Sequence, residues 1–247
     1  MKSKVMLPVL IFSACLLWAG DTAVFVDLGF SSDGSTYMFG QYGVQSETLK
    51  PWADLCVVDV ASNSFVPGGK ISYVHDGAVT AGHDGSGALY RVLARNTALA
   101  DRYRIAYLLQ GHPLYVSMEN GALVGGETIE FRDFEKAASF RANLTDSASA
   151  AGSGTDAAGS GTDAAGSGTN AAGSSFVINL ERRNSDGSVR SYTVGNAAIR
   201  RPGISAYRIR RVLAAPRNSA LIFVIEMKKQ NADGSSDIRY MVETLKL

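Results

Sequence analysis

Apolar and polar positions divide most of this chain into short runs that alternate with a period of two or are apolar throughout. Residues 25–30 read Phe-Val-Asp-Leu-Gly-Phe, residues 36–44 read Thr-Tyr-Met-Phe-Gly-Gln-Tyr-Gly-Val, and Ser-Ser-Asp-Gly-Ser lies between them. An Asp-Gly pair between two β-type runs predicts a hairpin, because Gly accepts a positive φ and Asp bonds its own backbone. The same chemistry recurs at Ser185-Asp186-Gly187-Ser188 and at Ala232-Asp233-Gly234-Ser235. Further strands are expected at 53–60, 65–66, 71–74, 114–118, 128–131, 139–144, 176–181, 189–194, 206–213, 220–227 and 238–245. Within 206–213, Tyr207 and Ile209 alternate with Arg208 and Arg210, so one face is apolar and the other basic.

One stretch changes period. Leu89, Val92, Leu93 and Leu99 fall at helical spacing. They predict one or two helices around 86–109, with Asp84 or Ser86 as a cap and Gly111-His112-Pro113 as the stop. The fold class that follows is mainly β, built of antiparallel meanders, with one or two helices.

Residues 152–172 carry Gly-Ser-Gly-Thr-Asp-Ala-Ala twice and then once more with Asn for Asp. That composition cannot bury enough apolar surface to offset the entropy of ordering it. A disordered, low-complexity heptad-repeat loop is expected over 147–175, inserted between Ser139-Phe140-Arg-Ala-Asn-Leu144 and Ser175-Phe176-Val-Ile-Asn-Leu180. Those flanks share one form and are expected to pair as strands.

The N-terminus has its own pattern. Lys2 and Lys4 precede an apolar run over 5–17, and small residues follow at Ala19, Gly20 and Ala23. This is the layout of a secretory signal peptide. Asp21 ends the run before the roughly 20 apolar residues that a membrane span needs. Residues 1–20 are therefore expected to be removed, leaving 21–247 as a single mainly β domain with no transmembrane span. Phe12-Ser-Ala-Cys15 resembles a relaxed lipobox, so a lipoprotein anchored through Cys15 is the alternative to a periplasmic or secreted protein.

Composition and charge add two points. Once Cys15 leaves with the leader, Cys56 remains alone inside Leu55-Cys56-Val57-Val58, the setting of a small buried hydrophobe, and no disulfide is expected. Residues 21–150 hold nine Lys/Arg and fifteen Asp/Glu, whereas 176–247 hold thirteen and six. An acidic half and a basic half are expected to face each other.

Phe30-Ser-Ser-Asp33-Gly34-Ser-Thr-Tyr37-Met-Phe39, followed by Leu55-Cys-Val-Val-Asp59-Val60, resembles a blade of a Tol-type or WD-repeat-like β-propeller. A fainter version, with Ala-Pro216-Arg-Asn-Ser at the turn, runs through Val212 to Glu226. A propeller takes at least about four blades of about 40 residues, and two are recognisable. The opening Phe25-Val-Asp-Leu-Gly29, Gln41-Tyr-Gly-Val and the closing Ile238-Arg-Tyr-Met-Val-Glu243-Thr resemble a family of predicted secreted bacterial proteins of unknown function. That family implies export and carries no established activity or site residues.

The candidate chemistry is sparse. His75-Asp76 and His83-Asp84 lie in Gly-rich sequence without a third ligand at a recognisable spacing, so no metal site is assigned. Gly82-His83-Asp84-Gly85-Ser86-Gly87 gathers Ser, His and Asp but lacks the spacing of a nucleophile elbow. Asn184 to Ser188 and Asn231 to Ser235 mimic the start of a calcium loop without its closing glutamate, and read as hairpin turns. No Gly-rich loop opens a helix for a phosphate. Neither a cofactor nor a nucleic-acid partner is expected, and no catalytic residue is assigned. Arg208, Arg210 and Arg211 are the candidate anion-binding residues. Two functions follow: a non-catalytic exported β-protein that binds an envelope protein or an anionic surface, or a secreted hydrolase whose site is assembled from loop Asp, His and Ser residues.

Overall fold

Strands buried on both faces read as continuous apolar runs, and strands with one wet face read as alternation. Both kinds occur, and they set the order of the layers. The structure is a computed structural model that describes residues 20–118, 123, 126–147 and 173–247. Most of the expected leader and most of the expected repeat insert lie outside the described residues.

The first sheet joins β1 (Val24–Ser31), β2 (Thr36–Val44), β3 (Pro51–Asp59), β4 (Ser64–Val74) and the short β5 (Ile105–Ala106), in the order β4-β3-β2-β1-β5. Between β4 and β5 come α1 (Ser86–Arg95) and α2 (Thr97–Arg102). The central sheet joins β6 (His112–Val116), β11 (Ile204–Ala214), β12 (Ala220–Gln230) and β13 (Ser236–Lys246), in the order β13-β12-β11-β6. The third sheet runs β10-β9-β8-β7, from β7 (Glu127–Asp133), β8 (Ala138–Asp146), β9 (Phe176–Arg183) and β10 (Val189–Gly195).

Three apolar cores separate four layers. Leu89 and Val92 of α1 pack on Met38, Leu55 and Val57, the outer face of the first sheet. Its inner face, with Phe30, Tyr37, Phe39 and Val58, packs on Leu213, Ile222 and Val224 of the central sheet. The opposite face of the central sheet, with Tyr207, Ile209, Phe223 and Ile225, packs on Phe131, Phe140, Leu144, Ile178 and Leu180 of the third. Accordingly β12 is buried from Ala220 through Glu226, whereas β8 alternates between buried and exposed positions. The mainly β, antiparallel expectation holds.

The propeller resemblance does not. The blade-like hairpins form, but as parts of open sheets stacked face to face. Helices cover one end of the stack and the polar outer face of β8 ends the other, so the layers cannot close into a ring. The helical reading also ran too far. It stops at Arg102, Arg104 takes a left-handed φ of 52°, and the chain returns as β5 beside β1. The runs at 65–66 and 71–74 are one strand, β4, with a pairing irregularity where Cys56 meets Lys70 and Val58 meets Phe65.

Each Asp-Gly turn lies in a different hairpin: β1–β2, β9–β10 and β12–β13. In each the Asp carboxylate accepts the N–H and hydroxyl of the Ser two residues on, at 3.0 and 2.8 Å for Asp33 and Ser35. A bond from the Ser31 hydroxyl at 2.7 Å, and then these two from Ser35, hold the exposed Asp33 carboxyl well below the usual range. Gly34 sits at φ +74°. Gly34→Val is expected to cost about 1–2 kcal/mol, because a β-branched residue strains there, and a denaturant midpoint equal to wild type would contradict this reading.

The insert's flanks pair as anticipated, with Asp146 opposite Phe176. Ser147 N–H donates to Ser175 O at 2.9 Å, so the ends of the loop meet. Deleting 148–172 is expected to leave the thermal midpoint within about 5 °C of wild type, since it removes no apolar side chain larger than Ala and shortens a loop.

Candidate functional site

The arginines singled out from the sequence lie between the first and central sheets. A bulge in β11 between Ile209 and Arg211 puts Arg210 and Arg211 on the side already taken by Arg208. Arg208 is 4.0 Å and Arg210 3.7 Å from Glu226, and the Arg211 guanidinium stands 5.9 Å from the Phe25 ring centre. Tyr240 O–H donates to Glu226 at 3.3 Å. Burial, and then the Glu226 charge, push this phenol up to about 12.

His75 and His83 stay apart in separate loops, and His112 begins β6. His75 Nδ1 accepts the Gly77 N–H at 2.9 Å, and His83 lines a different hollow. The Asp84 carboxylate accepts the Ser86 N–H at 2.9 Å, at the start of α1. Among the described residues, no group of three or more His, Cys, Asp or Glu is placed to hold a metal ion. The Asn-x-Asp-Gly-Ser segments are hairpin turns whose Asp carboxylates accept bonds from Ser188 and Ser235.

The most site-like feature was not anticipated from the sequence. A cleft of about 850 Å³ opens between the first sheet, the outer edge of β13 and the β10–β11 connection. Phe39, Cys56, Val58, Met241 and Val242 make apolar lining; Lys70, Arg201, Lys229 and Arg239 supply positive charge, against Asp54 and Glu243. Burial first, and then Asp54, raise the Cys56 thiol to about 12, so at neutral pH it stays protonated and acts as lining.

Both ends of the cleft are built firmly. At one end Glu243, 5% exposed, accepts from Asn63 Nδ2 and from Arg201 at 3.3 Å. Its carboxyl is raised above the ordinary value by burial, which outweighs the Asn63 bond and the Arg201 charge. Asn63 sits at φ +52° in the β3–β4 turn, a conformation that Asn tolerates better than most residues. Its Oδ1 accepts the Thr244 N–H at 2.7 Å. At the other end Arg239 stacks 4.2 Å from the Trp52 ring centre and reaches Asp21 at 2.9 Å and Asp237 at 3.2 Å. Trp52 Nε1 donates to the same Asp21 carboxylate. Between the ends, Gln41 Oε1 accepts the Tyr240 N–H at 2.8 Å while its Nε2 donates to Asp54 at 3.0 Å.

The family described as "Predicted secreted protein (DUF2259)" matches residues 38–246. The chain belongs to this family of predicted secreted proteins. Every residue named above as lining the cleft lies within the match, whereas Asp21 and β1 precede it. No curated protein and no solved structure matches the chain. The family description agrees with the export expected from the leader. Among the described residues, no helix is long and apolar enough to cross a membrane.

Sequence reasoning missed Gln41, Asn63, Lys70, Arg239 and Glu243. The available signal was a polar residue interrupting an apolar strand: Gln41 in Met-Phe-Gly-Gln-Tyr, and Glu243 in Met-Val-Glu-Thr-Leu. Nothing local says that these residues share one cleft, since Asn63 and Glu243 stand 180 residues apart.

Proposed function

We propose that this secreted protein is a binding protein rather than a catalyst, and that the cleft beside β13 is its ligand seat. The observation that carries the reading is the combination in one hollow of apolar lining with Lys70 and Lys229, exposed ammonium groups that make no ion pair with a described residue. Such a seat suits a ligand with an apolar body and an anionic group: the lining removes apolar surface from water, and the ammonium groups choose the charge. Cys56 adds no nucleophile to it.

Anilinonaphthalene sulfonate, an apolar anion, is the direct probe. Once the leader is removed Trp52 is the sole tryptophan, and its contact with Arg239 places it beside the cleft. Saturable binding with energy transfer from Trp52 is expected, weakened at least about tenfold in Lys70→Glu/Lys229→Glu and weakened by salt. Absence of saturable binding would overturn the reading. Turnover of ester or peptide substrates by the purified protein, lost in His83→Ala, would favour the hydrolase instead.

A further inference from the structure

We propose that the ligand of this cleft is a short, extended, acidic peptide segment that adds as a strand to the outer edge of β13. The proposal rests on the cleft being a binding seat and names what it binds.

The inner edge of β13 pairs with β12 from Ser236 to Lys246 without a bulge. In such a ladder alternate residues turn their N–H and C=O groups outward. Three outward groups are already met from outside the central sheet. The Ile238 N–H donates to Asp21 O at 2.8 Å, the Tyr240 N–H to Gln41 Oε1 at 2.8 Å and the Thr244 N–H to Asn63 Oδ1 at 2.7 Å. By the same alternation the Val242 N–H points outward, and Val242 lines the cleft. None of the described residues accepts from it.

The acceptors at 240 and 244 are amide carbonyls, chemically the same as a peptide carbonyl. At 238 the edge already takes a real chain segment, since Thr22 bridges Ile238 in parallel and Ala23 N–H donates to Ile238 O at 3.1 Å. The edge is therefore set up for strand addition and is left open where the cleft widens. From Tyr240 to Thr244 is about 13 Å at the rise of a strand, room for about three or four residues. A free lipid or aromatic anion offers an acceptor for the Val242 N–H but no donor for the Val242 carbonyl, which turns outward with it; a peptide strand supplies both. The charge of the segment follows from Lys70 and Lys229, which outnumber Asp54, a lining carboxylate held by Gln41 Nε2 and in no ion pair with a described residue, because Arg201 and Arg239 are already paired with carboxylates. A peptide with acidic residues meets those ammonium groups, whereas a basic one is repelled.

The probe is acetyl-Val-Glu-Val-Glu-Val-amide, titrated into the intact protein at low salt. Comparators are its Lys-for-Glu version, two versions N-methylated at alternate residues, and oleate. The expected result is displacement of anilinonaphthalene sulfonate by the acidic peptide and at least about tenfold weaker binding of the lysine version. One of the two N-methylated versions should lose binding, and hydrogen exchange at the Val242 amide should slow on saturation while the Leu55 amide, inside the first sheet, is unchanged. Lys70→Glu/Lys229→Glu should reverse the preference between the two peptides. Displacement by oleate and by no peptide would overturn strand addition and leave the cleft as an amphiphile seat. A saturating peptide that leaves Val242 exchange unchanged would also overturn it. If neither dye nor peptide binds, the proposed function falls with it.

Discussion

Phe223→Ala is expected to lower stability by about 4 kcal/mol, within the range for a fully buried Phe cut to Ala. Phe223 is 0% exposed and lies on β12, opposite Val212 on β11 and Glu243 on β13. Its ring fills the core shared with the third sheet, among side chains that include Leu144, Ile178 and Ile225. Hydrogen-bonded sheets hold both walls of that core, so the walls cannot close onto the space left by the ring. For a protein of this size the loss corresponds to a thermal midpoint lower by roughly 8–16 °C. Arg141→Ala is the matched control. Arg141 points from the outer face of β8, its side chain 62% exposed and 3.9 Å from Glu130, and its loss should stay within about 0.5 kcal/mol. Equal midpoints for the two variants would show that the central sheet is not covered on that face.

Asp21→Ala is expected to cost about 2–3 kcal/mol, because it leaves the Trp52 N–H and one N–H of Arg239 without their buried acceptor. Asp21 is 5% exposed; its carboxylate accepts from Trp52 and from Arg239 at 2.9 Å, and its N–H donates to Asp237 at 2.9 Å. The Arg239–Asp237 pair survives the change, which keeps the loss below that of an orphaned buried charge. The pH dependence has a definite sign. Burial raises the Asp21 carboxyl above 3.8, against the lowering effects of Arg239 and Trp52. The folded state therefore holds this proton to a higher pH than the unfolded chain. The contribution of Asp21 is complete below 3.8 and declines as pH rises through the raised folded-state value. The gap between wild type and Asp21→Ala should narrow from acid toward neutral pH, and Asp21→Asn, which resembles the protonated side chain, should lie between them with a flatter profile. A gap that widens toward neutral pH would contradict the raised carboxyl. Asp27 and Glu243, also raised mainly by burial, act with the same sign.

Two parts of the candidate site differ in how far they could be read from the chain. That Arg208 and Arg210 share a side followed from strand periodicity, and both reach Glu226. That Arg211 joins them did not, because a bulge depends on how β11 meets its neighbours. The cleft is harder still. Gln41, Asn63 and Glu243 each look like an isolated polar residue in sequence. They converge because the first sheet packs on the central one, so that Gln41 and Asn63 cap the edge of β13.

By itself the sequence determined the three Asp-Gly hairpins, the strand character of β12 and the alternation of β8. Each is set by chemistry within a few residues: a positive φ at Gly, a carboxylate bonding the backbone two residues on, or the spacing of apolar side chains. Only the tertiary structure decided the stacking of the sheets, the return of residues 105–106 to β1 and the opening of the cleft. A hairpin is compatible with a propeller blade or a flat stack. The choice falls to which faces must be removed from water, and that depends on partners contributed by segments far apart in the chain.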